Sequence, residues 1–194
     1  MGTDACLTGR AFTLAEAAGA GIARASVYRR VDAGELAKIG PGLFVRADDE
    51  QGLDHDLVAA VTRAPLATIC LTSALARHGL VDAIPGSTDL ALPRGAYRPR
   101  LGPAVTWHQF DAGTFDLGRV VTPLAGTDGI GIYEPERAIV DVFRMRGLEG
   151  YEVGLEALRA WLRRPGAHPA SLMRLAEQLP RAVGPLRTAL ACLT

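Results

Sequence analysis

The sequence predicts an α+β protein: two helices and a β-hairpin come first, and a mixed sheet-and-helix portion ending in several helices follows. Three observations carry this. Apolar residues recur at helical spacing behind a capping pattern near the N-terminus, a Gly-Pro-Gly turn separates two short apolar runs, and short strand-like segments later give way to helical stripes from Pro135 onward.

The first element starts at Thr13-Leu14-Ala15-Glu16, where an N-cap threonine is followed three residues later by glutamate, so each side chain can satisfy the other's backbone N–H. This helix has to stop at Gly19-Ala20-Gly21, where glycine permits a sharp turn. A second helix runs from Arg24 to Ala33. Val27 and Val31 share its inner face, Ala25, Ser26 and Arg29 lie opposite, and Tyr28 and Arg30 flank them. Gly34 ends this helix, and Leu36–Ile39 and Leu43–Val45 form a hairpin around Gly40-Pro41-Gly42, with Lys38 and Arg46 on its arms.

Helix, glycine turn, helix and hairpin together describe a helix-turn-helix with a wing, whose second helix would enter the major groove of DNA. Arginine suits bidentate contact to guanine, so Arg29 and Ser26 are placed near base edges. Arg24, Tyr28, Arg30 and Lys38 are placed on phosphates, and Thr13 and Arg46 complete the DNA-binding set. Six basic residues against four acidic ones give residues 1–46 a charge of +2, while the whole chain is neutral. The positive charge is therefore biased to the N-terminal module, which we bound at residues 1–47.

The acidic, Gly-containing stretch Asp48-Asp49-Glu50-Gln51-Gly52 reads as a linker, and residues 53–194 as the second domain. That domain is expected to begin with a helix over Leu53–Arg63 and a strand at Ala67–Cys70. A short helix over Ser73–His78, capped by Thr72, would follow. Strands at Asp89–Leu92 and Val105–Phe110 come next, with Val120-Val121 and Ile130–Tyr133 as sheet edges. Pro135 suits a helical first turn, Ile139, Val140, Val142 and Phe143 form one buried stripe, and Val153, Leu155, Leu158, Trp161 and Leu162 another. Helices over Ser171–Leu179 and Pro185–Leu193 close the chain.

No catalytic or metal-ligating set emerges. The segment Ile84-Pro85-Gly86-Ser87-Thr88-Asp89 has the Gly-Ser start of a nucleotidyl-transfer site, but the position two beyond Asp89 is Ala91, and two-metal chemistry needs a second carboxylate there. His55, His78, His108 and His168 lack ligand spacing. Gly126-Thr127-Asp128-Gly129 lacks the lysine of a phosphate loop and reads as a turn. Ser73 lacks a nucleophile elbow and is assigned to the surface near a helix cap. Glu134, Glu136 and Asp141 beside Arg137 are explained by the dipole at a helix start. A nuclease centre would need a carboxylate-x-Lys triplet, and the only lysine is Lys38 in the hairpin. The three cysteines, Cys6, Cys70 and Cys192, are widely spaced and expected to be reduced thiols, and no membrane span or export leader is expected. The sequence therefore predicts a cytoplasmic, non-enzymatic protein without cofactor or metal.

The run from Phe12-Thr13-Leu14-Ala15-Glu16-Ala17 through Val27-Tyr28-Arg29-Arg30-Val31 to Gly40-Pro41-Gly42-Leu43-Phe44 resembles the N-terminal winged helix of AbiEi-type antitoxins of type IV toxin–antitoxin systems. Leu71-Thr72-Ser73-Ala74-Leu75-Ala76-Arg77-His78-Gly79-Leu80 and Tyr133-Glu134-Pro135-Glu136-Arg137-Ala138-Ile139-Val140-Asp141-Val142-Phe143 are similar to segments of that family's C-terminal domain. The resemblance implies a repressor of its own operon and a C-terminal domain that counteracts a cognate nucleotidyltransferase toxin; because one such module gives a small interface, two copies, a homodimer at least on DNA, are expected on an inverted repeat. The alternative is a stand-alone winged-helix regulator whose second domain dimerises or senses a ligand.

Overall fold

The computed structural model describes residues 9–83, 85–145, 147 and 150–193. Cys6 and Ile84 lie outside them. The elements in chain order are β1 (Phe12–Thr13), α1 (Leu14–Gly19), α2 (Arg24–Asp32), β2 (Leu36–Gly40), β3 (Leu43–Arg46), α3 (His55–Arg63), β4 (Thr68–Ile69), α4 (Leu71–Arg77), β5 (Thr88–Pro93), β6 (Val105–Phe110), β7 (Arg119–Thr122), β8 (Ile130–Tyr133), α5 (Pro135–Arg144), α6 (Tyr151–Leu162), α7 (Pro169–Glu177) and α8 (Val183–Leu193). They fall into two compact units: residues 1–67 with 97–102 and 121–130, and residues 68–96, 103–120 and 131–194. Among the described residues no helix is long and apolar enough to cross a membrane.

In the first unit β1, β3 and β2 form an antiparallel sheet in that order. All of Leu43, Phe44 and Val45 are buried, because this sheet has a core on both faces. Phe12, Leu36 and Phe44 meet Ala17 of α1, Ile22 of the turn after it and Val27 of α2. On the other face Ile39, Leu43 and Val45 meet Val58 and Ala59 of α3, with Leu53, Leu101 and Leu124 against them. Alternate side chains of a strand point to opposite faces, so an apolar run at 43–45 requires a layer on each side. Helix α3 supplies the second layer. It starts at His55 rather than Leu53, because the Asp54 carboxylate accepts the Leu57 N–H at 3.1 Å and caps it.

The second unit holds a sheet ordered β6-β5-β4-β8-β7. β5 runs parallel to β6 and antiparallel to β4, and β4 runs parallel to β8. β8 is therefore interior rather than an edge, and all four of its residues are buried. Helix α5 packs against α4, α6, α7 and α8. Two further expectations are corrected here. Helix α4 begins at Leu71, whose φ is +48°, with Cys70 in the cap position and Thr72 inside the helix. The buried face of α6 is Gly154, Ala157, Leu158 and Trp161, and Val153, Leu155 and Leu162 are only partly covered.

Two polar networks lie inside this unit. Ser73 is buried rather than on the surface: its hydroxyl accepts the Asp89 N–H at 2.8 Å and donates to the Asp89 carboxylate at 3.1 Å. His108 Nε2 meets the other Asp89 oxygen at 2.9 Å, so α4, β5 and β6 are joined through one carboxylate whose two oxygens are both engaged. Arg137 and Asp141 are wholly buried and 2.9 Å apart, and Arg144 reaches the second Asp141 oxygen at 2.6 Å. Asp141 thus serves an interior ion cluster, not the helix dipole. Burial pushes its carboxyl up, and the two guanidiniums oppose that.

Candidate nucleic-acid interface

Thr13 and Glu16 form the expected capping box at α1. The Glu16 N–H donates to Thr13 Oγ1 at 3.2 Å, and the Thr13 N–H donates to Glu16 Oε2 at 2.7 Å. α1 ends in a paired closure: the Gly21 N–H donates to Ala18 O and the Ile22 N–H to Ala17 O. α2 ends the same way, with the Gly34 N–H on Val31 O and the Glu35 N–H on Arg30 O. Gly21 and Gly34 have φ of +80° and +74°, the left-handed conformation that this closure demands and that costs other residues roughly 1–2 kcal/mol. These two closures set the direction in which α2 leaves α1 and the wing leaves α2.

Burial pushes the Glu16 carboxyl up, but the Thr13 N–H and hydroxyl and the Arg10 guanidinium outweigh it, and the pKa is lowered overall. A carboxylate with a lowered folded pKa stabilises the fold above its unfolded pKa, and that contribution is lost as pH falls through the folded value. Glu16→Gln is accordingly expected to lower stability at pH 7 by about 0.5–1 kcal/mol. The gap to the parent should close as the pH falls below the usual carboxylate range, where Glu16 is protonated in both states. Urea titrations in the two pH ranges check this, and a gap unchanged with pH would contradict it.

On α2, Val27 is buried and Val31 and Tyr28 are partly buried against the sheet, which turns Arg24, Ala25 and Arg29 outward. Ser26 is half-buried, and its hydroxyl accepts a hydrogen bond from Arg29 Nη2 at 3.1 Å, which orders the guanidinium over the exposed face. The Arg24 guanidinium lies 5.6 Å above the Tyr28 ring, whose edge meets Phe44 at 5.7 Å. Tyr28 therefore fixes the helix to the sheet while one face of its ring supports a cation. On the wing, Lys38 is exposed and without a partner among the described residues.

The structure brings Arg24, Ser26 and Arg29 onto one exposed helical face, with Lys38 and Arg46 exposed on the two hairpin arms. Thr13 is occupied in the capping box. Two pairings with opposing charges were not foreseen from the sequence: Glu35 lies 3.8 Å from Arg30, and Asp48, read only as part of the acidic linker, lies 4.0 Å from Arg46. Both pairs are solvent-exposed and so contribute little to stability. Their effect is on charge, since a phosphate has to displace or outcompete each carboxylate. The signal was available in Glu35 directly after the glycine that closes α2, and in Asp48 two residues beyond Arg46.

A helix closed by a glycine turn onto a second, cation-bearing helix, with a two-stranded wing behind it, defines a winged helix-turn-helix module. Residues 7–47 match the family described as transcriptional regulator, AbiEi antitoxin, in agreement with the sequence resemblance. No curated protein matches the chain. Among solved structures, the crystal structure of the RV2827C protein from Mycobacterium tuberculosis is similar, with 16% identity and a TM-score of 0.47 over 94% of this chain and 76% of that one.

Proposed function

We propose that this chain is the antitoxin of a type IV toxin–antitoxin pair. In this reading the division at residues 1–47 and 53–194 is one of labour. The first part represses the chain's own operon by binding inverted-repeat DNA, and the second counteracts a cognate nucleotidyltransferase toxin in the cytoplasm, by binding rather than by catalysis. The observation that carries the reading is the coincidence of the family match over residues 7–47 with the outward cationic face of α2 and the wing. Arg29 and Ser26 read base edges; Arg24, Tyr28, Arg30, Lys38 and Arg46 hold phosphates; Thr13 serves by capping α1. A single module of this size gives a small interface, so selective repression uses two copies on half-sites about 10 bp apart or a multiple of that.

The two labours separate in one experiment. The gene adjacent to that of this chain is expressed from an unrelated promoter, with the parent chain or an Arg29→Glu, Arg30→Glu variant supplied beside it. Growth is expected to be restored equally by both, because neutralisation resides in residues 53–194. Failure of the parent chain to restore growth would remove the antitoxin half of the reading.

A further inference from the structure

The carboxyl ends of the parallel pair β5 and β6 open onto a cavity of about 460 Å³ in the second unit. Arg94 follows β5, Phe110 ends β6, Asp111 and Thr114 belong to the turn after it, Arg144 ends α5, and Arg181 lies between α7 and α8. We propose that this pocket is a binding site for a small molecule bearing a polyphosphate chain. Four observations point there.

First, charge: three guanidiniums face a single lining carboxylate. Arg94 and Arg181 are exposed and have no side-chain partner among the described residues. Second, positioning: the Arg144 side chain is only 13% exposed, its Nε is held by Asp141 at 2.6 Å, and its guanidinium lies 4.9 Å from the Phe110 ring centre. That leaves its terminal nitrogens pre-oriented, and a guanidinium fork matches phosphate oxygens in pairs. Third, Thr114 lines the cavity, and its Oγ1 is buried with no hydrogen-bond partner. A buried polar atom without a partner is costly and calls for an explanation, and rotation of the Thr114 side chain toward the cavity would let its hydroxyl donate to an anionic ligand. Fourth, Arg181 adopts φ of +66°, an unfavourable conformation for a residue with a side chain, of the kind that concentrates at ligand sites. The carboxyl ends of parallel strands are where open α/β sheets place ligands, and the cavity volume is that of a small-molecule pocket rather than of one phosphate ion.

The test is calorimetric titration of the full chain with inorganic triphosphate and with a nucleoside triphosphate. The parent is compared with an Arg94→Gln, Arg181→Gln variant, whose exposed positions leave folding intact, and with Thr114→Val. Both phosphate compounds are expected to bind the parent, and affinity should fall roughly tenfold for each guanidinium removed. The same titration of the Arg29→Glu, Arg30→Glu variant is expected to match the parent, which keeps this outcome independent of the DNA-binding reading. Three results would each overturn the site: no binding to the parent, affinity unchanged in the double glutamine variant, or affinity lost instead in the glutamate variant. Competition by duplex DNA that depends on Arg94 and Arg181 would also overturn it, by reassigning these arginines to a nucleic-acid backbone.

Discussion

Replacing Asp141 by alanine is expected to destabilise the second unit by about 3–5 kcal/mol, the effect of leaving a buried charge without its counter-ion. Arg137 is wholly buried, its Nε rests on Asp141 at 2.9 Å, and its ring neighbours Tyr133 and Phe110 lie 4.4 and 5.8 Å from the guanidinium. Its Nη1 is satisfied by the Thr114 and Leu117 carbonyls, and among the described residues no other carboxylate is bonded to it. Removing Asp141 thus strands one guanidinium inside and loosens another, that of Arg144. Both tryptophans, Trp107 and Trp161, lie in the second unit, so fluorescence during urea unfolding reports on it directly. The midpoint should fall with the slope unchanged. A control separates lost charge pairing from lost packing: an Arg137→Met, Asp141→Leu variant removes both charges and should be less destabilised than the single alanine. A single variant within about 1 kcal/mol of the parent would contradict the account.

The second large effect is at DNA. Arg29→Ala is expected to cost about 1–3 kcal/mol on the operator and to relax base preference, because it removes the guanidinium that the Ser26 hydroxyl orders over the exposed face. Lys38→Ala should weaken operator and random DNA alike and reduce the salt slope by about 1, as expected of a phosphate contact. Equal loss on both DNAs for Arg29→Ala would sink the base-reading role. Charge reversal goes further. Arg29→Glu with Arg30→Glu takes residues 1–46 from +2 to −2 and sets a new carboxylate beside Glu35.

The winged module was legible because each of its boundaries has a local cause. Thr13 and Glu16 mark a cap, Gly21 and Gly34 mark left-handed closures, and Val27 and Val31 mark the inner face. What was illegible depends on contacts far apart in sequence. The linker reading ended the first module before α3, yet Val58 and Ala59 pack on Ile39, Leu43 and Val45. The apolar run at 43–45 was a clue, since one strand cannot bury both of its faces without a second layer. In the same way, Ser73 and His108 look unrelated in the chain until packing of α4 on β5 brings Ser73 to Asp89 and the parallel pairing of β5 with β6 brings His108 there. The Arg137, Asp141 and Arg144 spacing of four and three was visible as one helical face, but only burial distinguishes an interior ion cluster from a solvated one. Of the residues assigned to DNA the outward set was legible from periodicity, whereas the pairing of Arg46 with Asp48 depended on the turn that follows β3.

The central claim is that the outward face of α2 reads DNA, and fluorescence anisotropy on the DNA immediately upstream of the gene tests it most directly. Upstream and scrambled duplexes are titrated at two salt concentrations with the parent chain and the Arg29→Glu, Arg30→Glu variant. The account predicts tight binding to the upstream duplex, weaker and more salt-sensitive binding to the scrambled one, and loss of the preference in the variant. Binding that is absent, or equal on both duplexes and unchanged by the two substitutions, would contradict it and make α2 a structural element only.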